Sequence, residues 1–557
     1  MSAGEHNRGL RGPLSWALWI CIGLLVGAAL TRIVGPDDYA SSTAPAVQER
    51  EAHNDDSAHE QSQAPEPLGI AIDPDHDPAP LPDRRDTGLE PRQDQDPSDD
   101  DHPAQDAHTD DASHDPAGPI PDIPLWLMLP FAALLGSIAL MPFINAHFWH
   151  QRFPEVAFFL GSIVVAYYLL GFNQGAFKHG QTYGQYQMLH ALKEFYSFIA
   201  LVGGLFIVSG GVLIDVKGKG SPLANTLLLA FGAVLANIVG TTGASMLLLH
   251  PFMRMNKGRL RPIHIVYFIF IVSNCGGCLT PIGDPPLYLG YLKGIDFFWT
   301  LEHLWVNWAV VIAALLAMFY ITDLRIGPGE QDQSRTGARG ISISGIAGIV
   351  CLGLMILGVF IDPMLADRGV TALAGYPVGA TFQVAVAVVA YKLAPKRIHD
   401  ANEFNFFPVK EVGLLFCGIF ATMAPALGYL AVHGHALGLG SATSYYFGTG
   451  ALSGVLDNAP TYLNFLQISF GENEINPQSV ATFLSDPQGV ATLAAISTGA
   501  VFFGAMTYIG NGPNFMVKAI AESSGVDMPS FFGYLARAIV ILLPVLVLHW
   551  LLFFVIL

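Results

Sequence analysis

Charge is scarce in this chain. Only 13% of its 557 residues are Asp, Glu, Lys or Arg, against 52% hydrophobic. With a mean hydropathy of +0.44, that excludes a water-soluble globule and predicts an all-α polytopic membrane protein whose main partner is the lipid bilayer. Cysteine is also scarce. The five thiols are an odd number, and Cys21, Cys275, Cys278, Cys351 and Cys417 all fall in apolar stretches, so no disulfide framework is expected. Cys275 and Cys278 form a C-x-x-C around two glycines, which in an apolar segment reads as small residues for close helix approach. No G-x-x-x-x-G-K-[ST] loop occurs, which argues against ATP-driven pumping by this chain alone. No enzyme activity, resident cofactor or nucleic-acid partner is expected.

The formal charge of −18 is misleading as a whole. Between Pro36 and Ile120 lie 23 acidic and 4 basic residues, and the remaining 22 acidic and 23 basic residues nearly cancel. Residues 36–120 are rich in Asp, Pro, Gln and His and almost lack aromatics, so they predict a disordered tether. Its histidines, His53, His59, His76, His102, His108 and His114, lack tight ligand spacing. Residues 1–35 contain an apolar run (14–35) behind Arg8 and Arg11, read as a signal anchor or a signal peptide.

From residue 121 apolar segments recur at bilayer length, near 124–144, 154–173, 192–214, 223–251, 263–292, 302–322, 341–361, 371–393, 410–432, 444–468, 488–520 and 533–556. Lys217 and Lys219 precede 223–251, and Arg254, Lys257, Arg259 and Arg261 follow it. The positive-inside rule puts both flanks in the cytoplasm, so this segment is a re-entrant hairpin with its tip near 237–243. The stretch 471–489 has no Lys or Arg, which puts it outside and makes 444–468 a second hairpin entering from the other face. The same count puts the acidic tether outside.

Two broken segments follow the hairpins. "LTPIGDPP" and "MTYIGNGP" align Thr280 with Thr507, Gly283 with Gly510, Asp284 with Asn511 and Pro286 with Pro513. A hairpin plus a broken helix, twice and in opposite sense, predicts two inverted-topology repeats around a midplane site. The first repeat is 121–322, a cytoplasmic linker is 323–340, and the second repeat is 341–557. Unwound backbone is tolerable at membrane depth only where it lines a polar cavity. Asp284 and Asp457 place carboxylates there, so both are Na+ candidates. A carboxylate out of water favours its neutral form, which suits exchange of a proton for a cation.

At these motifs the chain resembles the ion transporter superfamily of divalent-anion symporters, arsenite pumps and sodium/proton antiporters. "GTTGASMLLLHP", "SNCGGCLTPIGDPPLYLGYLKG", "LDNAPTYLNF" and "TYIGNGPNFMVKAIAE" are most similar to bacterial sodium:proton antiporter and citrate transporter proteins. The resemblance covers about 121–557 and implies a homodimer, an elevator-type motion, a bacterial inner (cytoplasmic) membrane location, and Na+ and H+ as transported or coupling ions. Residues matching the family's ion sites are Asn237, Thr241, Thr242, Asn274, Thr280 and Asp284, then Asp457, Asn458, Thr461, Thr507, Asn511 and Asn514. The carboxylate symporters carry Ser-Asn-Thr at both hairpin tips, whereas these tips read "ANIVGTTG" and "LDNAPT".

Each residue also has a purely structural reading. Asp284 and Asp457 could cap the helices they precede. Asn274 and Asn514 could be ligands or interhelical hydrogen-bonding groups. Thr241 and Thr242 could face a substrate carboxylate or bond back to their own helix. Lys518 reads as snorkelling, "HFWHQRF" (147–153) as an interfacial belt, and Glu194 as an interfacial residue. The function expected is Na+/H+ antiport, with cation-coupled symport of citrate or a similar carboxylate as the alternative.

Overall fold

The computed structural model describes residues 8–33, 121–178, 180–217, 220–327, 340–370 and 375–556. The acidic segment 36–120, with its six histidines, lies outside the described residues, as does 328–339 of the linker. The apolar runs become helices: α1 (Arg8–Ile33), α2 (Leu129–Ile144), α3 (Ala146–Gly171), α4 (Tyr183–Gly210), α5 (Pro222–Met255), α6 (Pro262–Ile271), α7 (Pro285–Leu292) and α8 (Trp299–Ile326). The chain continues through α9 (Ile346–Val359), α10 (Ile361–Asp367), α11 (Val378–Leu393), α12 (Lys396–Ala401), α13 (Phe407–His433), α14 (Ala442–Ser453) and α15 (Asn458–Phe470). It ends with α16 (Pro477–Leu484), α17 (Pro487–Phe503), α18 (Gly512–Ser523) and α19 (Phe531–Leu551). Nine helical stretches among the described residues are long and apolar enough to cross a membrane, so this is a helical multi-pass membrane protein.

The fold departs from the all-α expectation in one ribbon. β1 (Leu213–Lys217) pairs antiparallel with β2 (Gly340–Ser344), Leu213 facing Ser344. The segments drawn at 192–214 and 341–361 therefore end or begin as strand, where Ile-Ser alternation replaces helical periodicity. α4 also starts nine residues earlier than its apolar run. Thr182 accepts from Gln185 N–H while the Gln185 side chain accepts from Thr182 N–H, a complete capping box.

α1 docks along α3. A Cβ at Gly23 would lie 1.9 Å from Ser162 Oγ, and one at Gly27 would lie 2.3 Å from the Ile163 carbonyl. Glycines four apart thus bring two backbones close, as small-xxx-small pairs do in membranes. Trp16 and Trp19 lie edge-on to Phe158 and Phe159, and Ser15 donates to Glu155 at 3.0 Å.

α4 packs against α9, α11 and α13, and α13 also packs on α2 and α3. α5 to α8 associate with α15, α17, α18 and α19; the two sets meet where α4 touches α5 and α7 and where α13 touches α15. Just before α4, Lys178 meets Glu474 at 2.9 Å, and three turns into the helix Glu194 meets Lys293 at 2.7 Å. At its C-terminal end sit the ribbon and Asn402, which donates to the Gly210 and Val212 carbonyls at 3.0 and 2.8 Å.

Candidate functional site at four chain breaks

α5 is 34 residues long but is not one rod. Its helical dihedrals fail at Gly240, where φ is +79°. The chain folds back there, so Gly220 N–H donates to the Met255 carbonyl at 2.9 Å. Asn225 and Asn256 exchange two side-chain hydrogen bonds, at 2.8 and 2.9 Å. Below them a buried cluster ties the base of the fold-back to α8: Arg259 bonds Asp323, and Asp323 also accepts from Asn225 at 2.8 Å and pairs with His264 at 2.9 Å. Glycine is required at the tip because φ is positive and a Cβ would meet the Ile282 carbonyl at 3.2 Å.

α6 stops at Ile271 and α7 begins after Asp284. The residues between are unwound, buried and tied to the tip of α5. Thr241 N–H donates to the Gly283 carbonyl at 2.8 Å, Thr280 Oγ1 donates to the Asn237 carbonyl at 2.6 Å, and Asn237 bridges to the Gly276 carbonyl at 2.7 Å and accepts from Leu279 N–H at 2.8 Å. Cys275 and Cys278 are buried free thiols. Trp308 Nε1 and Asn237 Nδ2 both reach the Gly276 carbonyl, so this strip packs as the small-residue reading expects.

The second pair of breaks repeats two bonds of the first. α14 and α15 face each other, with Gly448 against Phe465. Asn458 N–H donates to the Gly510 carbonyl at 3.2 Å, as Thr241 does to Gly283. Gly510 N–H reaches Thr507 Oγ1 at 3.3 Å, as Gly283 N–H reaches Thr280 Oγ1 at 3.1 Å.

The four breaks converge on one carboxylate. Asp284 is 1% exposed. Its Oδ1 accepts from Thr241 Oγ1 at 3.0 Å and Asn511 Nδ2 at 2.8 Å, and its Oδ2 accepts from Asn458 Nδ2 at 2.7 Å. It does not cap α7, so the capping alternative fails here. Every donor is neutral, and each comes from a different break. Asn274 donates to Asn514 Oδ1 at 2.6 Å, and Asn514 donates to the Gly504 and Thr507 carbonyls, each at 2.9 Å.

Residues 120–554 match the family described as "Putative citrate transport". The chain belongs to this family. No curated protein matches it. Next to the carboxylate, a small cavity lies between α4 (Leu201, Val202, Leu205, Phe206), the α5 tip (Val239 to Gly243) and the strip Pro281–Gly283 with Pro285 and Tyr288, and Asp284 itself does not line it. No Lys, Arg or His lines it. Thr242 faces this cavity and makes no side-chain hydrogen bond among the described residues.

The other sequence candidates of this family member are placed less centrally. Asp457 is half-buried and caps α15 by accepting from Ala459 N–H at 3.0 Å. Thr461 bonds back to the Asp457 carbonyl at 2.9 Å. Lys518 pairs with Glu522 on its own helix at 2.7 Å. Two buried oxygens near the carboxylate have no partner, Asn274 Oδ1 and Asn458 Oδ1. A Cβ at Gly504 would lie 3.3 Å from Asn274 Oδ1, 3.3 Å from Asn458 Nδ2 and 3.2 Å from the Gly510 carbonyl. Sequence reasoning read Glu194 only as an interfacial residue and missed its partner: its side chain is 10% exposed and pairs with Lys293. The capping box that sets it a full three turns inside α4 was the available signal.

Proposed function

We propose that this member of the citrate-transport family is a Na+/H+ antiporter of the bacterial inner membrane, and that Asp284 holds the two ions alternately. The observation that carries the reading is a buried carboxylate with three neutral donors and no cationic partner among its hydrogen bonds. A bare carboxylate in an apolar interior costs far more than three neutral hydrogen bonds return. It crosses the membrane only when neutralised by a proton or a bound cation, and that requirement couples the two ions. Na+ takes oxygen ligands, and the unpartnered Asn274 Oδ1 and Asn458 Oδ1 beside the carboxylate suit it. Asp457 and the carbonyls of the unwound strips are further oxygen donors for the same ion.

Citrate symport remains the second reading, favoured by the family's description and by the start of the second arm of α5 at Thr241 and Thr242, a helix N-terminus that attracts anions.

The reading takes the two sets of breaks as inverted repeats and the two fold-backs as re-entrant hairpins. Support comes from the paired bonds Thr241–Gly283 and Asn458–Gly510. It also comes from the meeting of Lys178 and Glu474, whose loops both fall outside in the topology drawn from basic residues, with the acidic segment on that side. A homodimer with an elevator motion belongs to the same reading.

The test is dissipation of a pH gradient in everted vesicles from antiporter-deficient cells, with Na+, Li+, K+ or citrate added in turn. Na+ or Li+ is expected to collapse the gradient in the native protein and to leave Asp284→Asn unresponsive. A response to citrate alone transfers the reading to symport.

A further inference from the structure

Glu194 and Lys293 form an ion pair that the site itself does not use. Lys293 Nζ lies 2.7 Å from Glu194 Oε1, and their side chains are 16% and 10% exposed. His190, one turn earlier on α4, lies 3.2 Å from the same oxygen. The position of this pair gives it meaning. Asp284 is the residue immediately before α7 and Lys293 the residue immediately after it, with eight helical residues between them. A helix of that length is a stiff rod of about 12 Å, so any displacement of Asp284 along the rod carries Lys293 with it. Glu194 stands on α4, which packs with α9, α11 and α13. The pair therefore joins the element that carries the site to the elements beside which it must move. Two weaker contacts cross nearby: Tyr288 Oη to the Ser197 carbonyl at 3.4 Å and Tyr291 Oη to the Val359 carbonyl at 2.9 Å.

We propose that Lys293–Glu194 is a positioning latch, which holds α7 and thereby Asp284 in the conformation seen here and opens each time the site changes sides. The inference rests on the transport reading above. Separating two buried, paired charges is strongly unfavourable, so the latch makes this conformation a discrete state rather than one point in a continuous slide.

The test needs no transported ion. In a full-length protein with Cys21, Cys275, Cys278, Cys351 and Cys417 replaced by Ser, Val202→Cys places one thiol in the cavity. Its labelling by a membrane-impermeant maleimide is compared in right-side-out and everted vesicles. Lys293→Met and Glu194→Gln are each expected to shift the ratio of labelling from the two sides at least threefold. Lys293→Arg keeps the charge and is expected to retain the starting ratio, as is the exchanged pair Glu194→Lys with Lys293→Glu. An unchanged ratio in both neutralising variants overturns the latch. So does an equal shift in Lys293→Arg, which would mean packing rather than charge. Because labelling is read without Na+ or citrate, a vesicle preparation with no ion response sinks the antiport reading while leaving this outcome legible.

Discussion

At Asp284 three amide and hydroxyl protons converge on one carboxylate, and removing any of them weakens its charged form. Thr241→Val deletes one donor with little change in shape. It is expected to raise the Na+ concentration for half-maximal gradient collapse about fivefold, the equivalent of about 1 kcal/mol for one hydrogen bond. An unchanged Na+ dependence would remove Thr241 from the site. Asp284 and Asn511 were legible in the sequence because they fill matching slots in two Gly-Pro breaks, and Asn458 because the resemblance rests on "LDNAPT". Thr241 was legible only as a candidate, since a threonine near a helix start satisfies its own backbone as readily as a neighbour. Glu194 was missed because the apolar run begins near it, whereas the helix begins at Thr182.

Elements give their own predictions. Gly240 carries the fold-back of α5 at φ +79°. Gly240→Ala is expected to cost about 1–3 kcal/mol, because extended backbone at positive φ is open essentially to glycine alone, read as a lowered thermal unfolding midpoint in detergent; an unaltered midpoint would mean that the tip relaxes freely. On α1, Gly27→Leu cannot fit against the Ile163 carbonyl. It is expected to detach α1 from α3, so that a cysteine pair across that contact no longer cross-links, while an undiminished cross-link would contradict the packing. The breaks were readable because Gly, Pro and Asn interrupt apolar runs. The ribbon was not, because the five-residue strands Leu213–Lys217 and Gly340–Ser344 adjoin apolar helices, and the alternation of "GISIS" was absorbed into the run that follows. Asp457 shows the limit from the other side: the same residue serves as cap and candidate ligand, and spacing alone does not separate the two.

Across the whole molecule, the ends of the helices are tied by charge. Partial burial alone would raise the Glu474 carboxyl, but hydrogen bonds from Lys178 and Tyr186 hold it below its ordinary 4.5. Burial would lower the Lys178 ammonium, but Glu474 lifts it above 10.5. A depressed carboxyl stabilises the fold above its unfolded value and loses that contribution as pH falls; a raised ammonium stabilises below its unfolded value and loses it as pH rises. The contact therefore holds from roughly pH 5 to pH 10. Both side chains are partly exposed, so Glu474→Gln is expected to cost less than about 1 kcal/mol within that window and nothing below it. A loss that persists at low pH would show that packing, not charge, ties the loops.

If Asp284 exchanges one ion for the other, Na+ added to the purified protein in weakly buffered detergent displaces protons into the medium. The release is expected to saturate with Na+ binding and to disappear in Asp284→Asn. Na+ binding without proton release, or a release that survives in Asp284→Asn, would contradict the exchange.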